Sequence, residues 1–171
     1  SGLMIVEQHR AHLRILYEQY MKQMAEHSAT TQGLLFPEMV QLPPSDAQLL
    51  DHVSGTLASL GFDISPLGGG SFSVQGIPSG LDGVDAVSLL TQMVEEAREE
   101  RLGHASLHDV RHRMALSLAR SAAIVAGQAL TPQEMDSLLS RLFQCANPRL
   151  TPDGKPILAV LSPEDIERYL S

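Results

Sequence analysis

The chain is poor in the features that most readily assign a protein to a class. It has a single cysteine, Cys145, which cannot form an internal disulfide, so the 171 residues must hold together by packing. That length can bury a substantial core in one domain, with room for two lobes. No apolar run approaches the roughly 18–20 residues of a membrane span, and no basic segment leads into a long apolar core as in a signal peptide. These absences point to a cytoplasmic protein with no membrane partner. Basic residues are also scarce: 12 Lys and Arg stand against 20 Asp and Glu, a net charge of -8. Such a surface repels phosphates, so the chain alone is expected to bind DNA weakly or not at all. No GxSxG sequence and no internal repeat occur. Gly68-Gly69-Gly70 is followed by neither Lys-Ser/Thr nor a helix start, which favours a flexible hairpin over a phosphate loop. An initiator methionine is missing too: "SGLMIV" starts directly in apolar residues and reads as a fragment of a longer chain.

What is present gives an α+β pattern. Leu3 to Val6 suit a short buried strand, and a helix from about His9 to Glu26 repeats Leu13, Leu16, Tyr17, Tyr20 and Met24 on one stripe. Residues 28–45 carry Gly33, Pro37, Pro43 and Pro44 and read as a connector with a short extended piece. Ser45 is expected to cap a helix that stops at Gly61. Alternating residues around the glycines predict strands 62–65 and 71–76. Helices are expected over 84–101, ending in the solvated charge run "EEAREER", and from Ser106 to Ala126. "TPQE" at 131–134 is a capping box opening helix 132–144, buried through Met135, Leu138, Leu139, Leu142 and Phe143. Strand 157–161 and a short helix capped by "SPED" close the chain. The expected architecture has two lobes: 1–36 with 116–171, and an inserted helix, hairpin and helix over 37–115.

Three clusters could carry chemistry. Glu7, His9, His12 and Glu18 offer carboxylates and imidazoles of the kind that hold Zn or Mn. His9 and His12 share a helical face, but Glu18 lies two to three turns away, so a capped amphipathic helix competes with a metal site. His104, His108 and His112 recur every fourth residue with no acid to anchor a cation, which favours an exposed polar face. Cys145, at the end of an apolar helix, reads as a buried structural thiol.

Taken together, several stretches resemble one family. "LMIVEQHRAHLRILYE" (3–18) resembles "(L/V)DQHAAHERxxYE" of the C-terminal domain of the MutL DNA mismatch repair family. "QGLLFP" (32–37) resembles its "QxLL(F/I/V)P", and "FSVQGIP" (72–78) its middle-lobe strand. "AGQALTPQEMDSLLSRLFQCANP" (126–148) and "TPDGKPILAVLSPEDIERYL" (151–170) resemble "AGxxLxxEEMxxLLxxLxxxxNP" and "CPHGRPxxxxLSxxELEKxF". The matches run in order across nearly the whole chain.

Some members of that family are metal-dependent nicking endonucleases, whose motif DQHA-x2-E-x4-E can be compared position by position. Its Asp is Glu7 here, its His is His9, its first Glu is Leu13 and its second is Glu18. Downstream, a family cysteine is Arg120, and in "CPHGRP" the Cys is Thr151 and the His is Asp153. Lost donors and a cation at position 120 oppose metal binding. The resemblance therefore implies a domain with no catalytic or metal site, and no cofactor of its own. A metal-dependent DNA-nicking endonuclease with an altered ligand set is the rival reading.

What the resemblance leaves in place is homodimerisation. It would tether two N-terminal ATPase regions, outside this chain, that use ATP and Mg and engage MutS and DNA in the bacterial full-length protein. Leu16, Tyr20, Ile157, Ala159 and Leu161 are candidate dimer contacts. Gln32, Leu34, Leu35 and Phe36 resemble the peptide by which repair proteins dock on the replication sliding clamp, with a buried strand between lobes as the competing interpretation.

Overall fold

The computed structural model describes residues 1–171. In chain order the elements are β1 (Leu3–Val6), α1 (Gln8–Glu26), β2 (Thr31–Gln41), α2 (Pro44–Leu60), β3 (Asp63–Gly68) and β4 (Ser71–Pro78). They continue with α3 (Ala86–Glu99), a 3-10 turn (Leu102–His104), α4 (Leu107–Ala122), α5 (Pro132–Gln144), β5 (Leu158–Leu161) and α6 (Pro163–Leu170). The fold is α+β, with two small antiparallel sheets. It divides into two compact units, one of residues 1–18 and 122–171, the other of residues 19–121. These boundaries differ from those read in the sequence. Thr31, Gln32 and Gly33 ladder with Pro78, Ile77 and Gly76, so the strand expected to join the outer lobe belongs to the inner sheet.

In the 1–18/122–171 unit, β1 and β5 pair in register, Leu3 opposite Leu161 through Val6 opposite Leu158. The first turns of α1 meet α5 through Ala11, Ile15, Leu142 and Ile157, with Val6, Leu138 and Cys145 packed around them. Both closing helices begin with capping boxes. Thr131 with Glu134 opens α5 and Ser162 with Asp165 opens α6, each after its proline has taken the first helical position. Two expectations fail here. β1 is not buried, since Leu3 and Ile5 are each 51% exposed. In α5 only Leu142 is fully buried, while Met135 and Phe143 lie half in solvent.

In the 19–121 unit the sheet runs β2-β4-β3, and α2 and α3 pack on it around Val53, Leu57, Leu60, Phe72, Val74, Leu90 and Met93. α2 starts two residues before the position expected from a cap at Ser45. Pro44, with its preset φ and no N–H to satisfy, occupies the first helical position, so Pro43 stands at the cap. Gly61 ends α2 at φ 107°, and a Cβ there would come within 2.7 Å of the Thr30 carbonyl oxygen, which only glycine avoids. Arg98, from the run read as solvated, instead reaches the buried Asp46 of α2 with two bonds of 3.0 and 3.1 Å. β2 is far longer than the short extended piece expected, and α4 stops at Ala122 instead of Ala126.

Candidate functional site

The helix start at residues 7–18 was the first candidate site, and most of its polar side chains bond to backbone groups of their own chain. Glu7 sits just before α1 and accepts the backbone N–H groups of His9 (3.2 Å) and Arg10 (2.8 Å), as a helix-capping carboxylate does. The Arg10 guanidinium stands 3.8 Å from the same carboxylate and donates to the Pro156 carbonyl at 2.8 Å. Gln8 donates to the Gln128 carbonyl at 2.6 Å. Arg14, buried despite its charge, donates to the Leu150 carbonyl at 2.8 Å and lies over the Tyr17 ring.

The two histidines grip one peptide unit from both sides. His9 Nδ1 lies 2.7 Å from the Ile124 carbonyl oxygen, and the Ile124 N–H donates to His12 Nδ1 at 2.8 Å. A carbonyl only accepts, so His9 must carry its proton on Nδ1; an N–H only donates, so His12 must be bare there. This bracket takes up both backbone groups of Ile124, just past the end of α4 at Ala122. Burial, then the nearby Arg141 and His9, lower the His12 pKa below its usual 6.5, in keeping with a neutral acceptor.

The remaining positions of the family's nuclease motif do not converge. Leu13 is buried in the core. Glu18 accepts the Ala146 N–H at 2.8 Å, and its second carboxylate oxygen is buried without a hydrogen-bond partner. The Cys145 thiol beside it donates to the Arg141 carbonyl at 3.5 Å. Burial, with the Glu18 carboxylate next, pushes that thiol up to about 12, so it stays protonated. The Thr151 hydroxyl donates to Asp153 at 2.6 Å and accepts the Lys155 N–H at 2.8 Å, closing a tight turn. Arg120 lies in the last turn of α4, in the other unit. No group of three His, Cys, Asp or Glu side chains stands close enough to share a cation.

The docking candidate has the opposite character. The β2–β4 ladder runs through Gly33 opposite Gly76 and resumes at Glu38 opposite Val74, leaving residues 34–37 bulged out. Leu35 is 88% exposed and Phe36 75%, with Gln32 also in solvent and Leu34 half-buried. The competing interpretation expected Leu35 and Phe36 in a core, and both are exposed.

Candidate dimer contacts divide. Leu16, Tyr20 and Ile157 are buried inside their own chain, and burial pushes the Tyr20 hydroxyl up to about 12. Apolar periodicity marks a face that is buried, but not against what. Ala159 is exposed and Leu161 half-buried, opposite Ile5 and Leu3. Sequence reasoning missed further exposed apolar groups of the same unit: Met4, Val160, Met135, Phe143, Tyr169 and Leu170. The signal was available in α6, where Ile166, Tyr169 and Leu170 recur at helical spacing yet none is fully buried. No helix is long and apolar enough to cross a membrane.

Comparison with known proteins agrees with this geometry. The family described as "MutL C terminal dimerisation domain" matches residues 1–130. The chain is 44% identical over 168 residues to the DNA mismatch repair protein MutL of Bacteroides fragilis (strain YCH46), and 44% identical over 168 residues to that of Phocaeicola vulgatus. To MutL of Chlorobaculum tepidum it is 37% identical over 170 residues. Each alignment covers 98% of this chain and 27% of the relative, so the chain spans about a quarter of those proteins.

Proposed function

The chain belongs to the MutL C-terminal dimerisation domain family, and on that premise we propose that it pairs with a second copy through the open face of the β1–β5 sheet. One observation carries this reading: a two-stranded sheet, marginal when isolated, leaves Leu3 and Ile5 half exposed beside Ala159 and Leu161. α6 follows directly and adds Tyr169 and Leu170, 79% and 83% exposed. A two-fold contact of this kind needs one self-complementary apolar patch. The dimer would tether two N-terminal regions lying outside this chain, which bind ATP and Mg and work with MutS and DNA. Tethering turns their weak association into an intramolecular one. Light scattering at about tens of micromolar should give a dimer, and Ile5→Asp should give a folded monomer. A wild-type monomer at that concentration overturns the reading.

We further propose that the 32–36 bulge docks on the sliding clamp, with Gln32 anchoring one end and Leu35 and Phe36 filling an apolar pocket. Its support is the exposure of those two side chains on an otherwise laddered strand. Nuclease activity is not part of this reading, because Glu7, His9 and Glu18 each already hold a backbone group of their own chain. Manganese-dependent nicking of supercoiled DNA that vanishes on Glu7→Ala would restore the rival reading of an altered ligand set.

A further inference from the structure

We propose that the second half of α1 and the start of α4 enclose a binding site for an anionic head group, carboxylate or phosphate, carried on an apolar stem. The cavity, about 300 Å³, is lined by Met21, Met24 and Ala25 of α1 and by Leu107, His108 and Arg111 of α4. On α4 the spacing of Leu107, His108 and Arg111 puts them within one turn, so one wall is built from a single short stretch.

Charge is the first argument. In a chain of net charge -8, none of the six lining residues is an acid, while one is an arginine and one a histidine. The Arg111 guanidinium is permanently ionised and presents a planar fork matched to carboxylate or phosphate. Its Nε–H is buried and has no hydrogen-bond acceptor in the chain. A buried, unsatisfied donor on a charged group is an uncompensated cost, and the arginine that carries it lines the cavity.

The walls define the rest of the ligand. Of the apolar lining residues Met24 is 1% exposed and Leu107 60% exposed, so the walls include both core and surface side chains. Two methionines, unbranched and adaptable, accept stems of varied shape better than β-branched residues would. A bare inorganic anion would leave these walls unfilled, and a neutral alcohol would leave the guanidinium uncompensated. The same reasoning gives a role to one rung of the His104, His108 and His112 ladder: His108 adds a polar group beside the fork.

Titrating the 15N-labelled chain with octanoate and, separately, with hexyl phosphate tests the site. Octanol and inorganic phosphate are the controls. The expected result is saturable movement of the Arg111 Nε–H resonance with at least one amphipathic anion, and a matching rise in thermal midpoint. Both controls should bind more weakly by at least about tenfold. Arg111→Gln should abolish the response. If that variant does not fold, Leu107→Asp, at an exposed position, sets a like charge at the mouth and should weaken binding by a similar factor. Which anion binds more tightly identifies the head group. Octanol binding as well as octanoate, binding unchanged in both variants, or no movement at Arg111 with either anion would overturn the site.

Discussion

Residues 7–18 and 32–36 both follow patterns of the same family, and they have opposite physical fates. In the first, the polar side chains turn back on their own backbone: Glu7 caps α1, Gln8, Arg10 and Arg14 hold distant carbonyls, and the two histidines bracket Ile124. In the second, a strand breaks its ladder so that Leu35 and Phe36 stand in solvent at the cost of local pairing. A group whose bonding capacity is spent inside the chain has little left for a ligand. A large apolar side chain held outside it has all of its surface free. The difference teaches that a motif's letters say less about retained function than what its side chains already touch.

The most direct way to break this contrast is to restore the missing carboxylate. Leu13→Glu places a charge at a position 5% exposed within the core, and should cost about 3 kcal/mol or more in urea unfolding. A variant as stable as wild type that also acquires manganese-dependent nicking would show the helix start to be a dormant metal site, and the contrast would collapse.

A smaller effect is expected at the bracket. His12→Leu leaves the Ile124 N–H without its acceptor and should cost about 1–2 kcal/mol. The pH dependence gives the sign. Burial, Arg141 and His9 lower the His12 pKa in the folded chain, so below its usual 6.5 the unfolded chain binds the extra proton first. The contribution is therefore full above about pH 6.5 and declines as pH falls towards the folded pKa. Subtracting the His12→Leu stability profile from that of wild type should reveal this decline. Equal slopes for the two proteins between pH 5 and pH 7, about the range in which histidines titrate, would argue against the bracket.

Much of the fold was legible because local chemistry decided it. Thr131 and Ser162 with their following prolines and acids marked two helix starts, and Gly61 marked a helix end. Three features were not legible. Leu16 and Tyr20 show the same periodicity whether a helix buries them in its own core or against another copy. Just past the end of α4, Ile124 is bonded by residues more than a hundred positions away, which no local window contains. β2 looked like a connector because Pro37 lies within it, and that proline falls in the bulge, where pairing is not required. At the candidate site, Leu13 was readable at once as a missing donor, whereas the occupation of Glu7 and His9 by backbone groups needed the three-dimensional arrangement.

The smallest effect on stability is expected where the largest effect on binding should lie. Phe36→Ala removes a side chain that is 75% exposed, so the unfolding free energy should stay within about 0.5 kcal/mol of wild type. Combined with Gln32→Ala it takes away both ends of the proposed anchor, and affinity for the clamp should fall by at least about tenfold, as for a truncated hot spot. A double variant that keeps clamp affinity would remove docking as the reason for the bulge. One that loses stability would mean that Phe36 packs on its own sheet in solution. Unchanged stability with lost affinity is the result that separates residues 32–36 from residues 7–18.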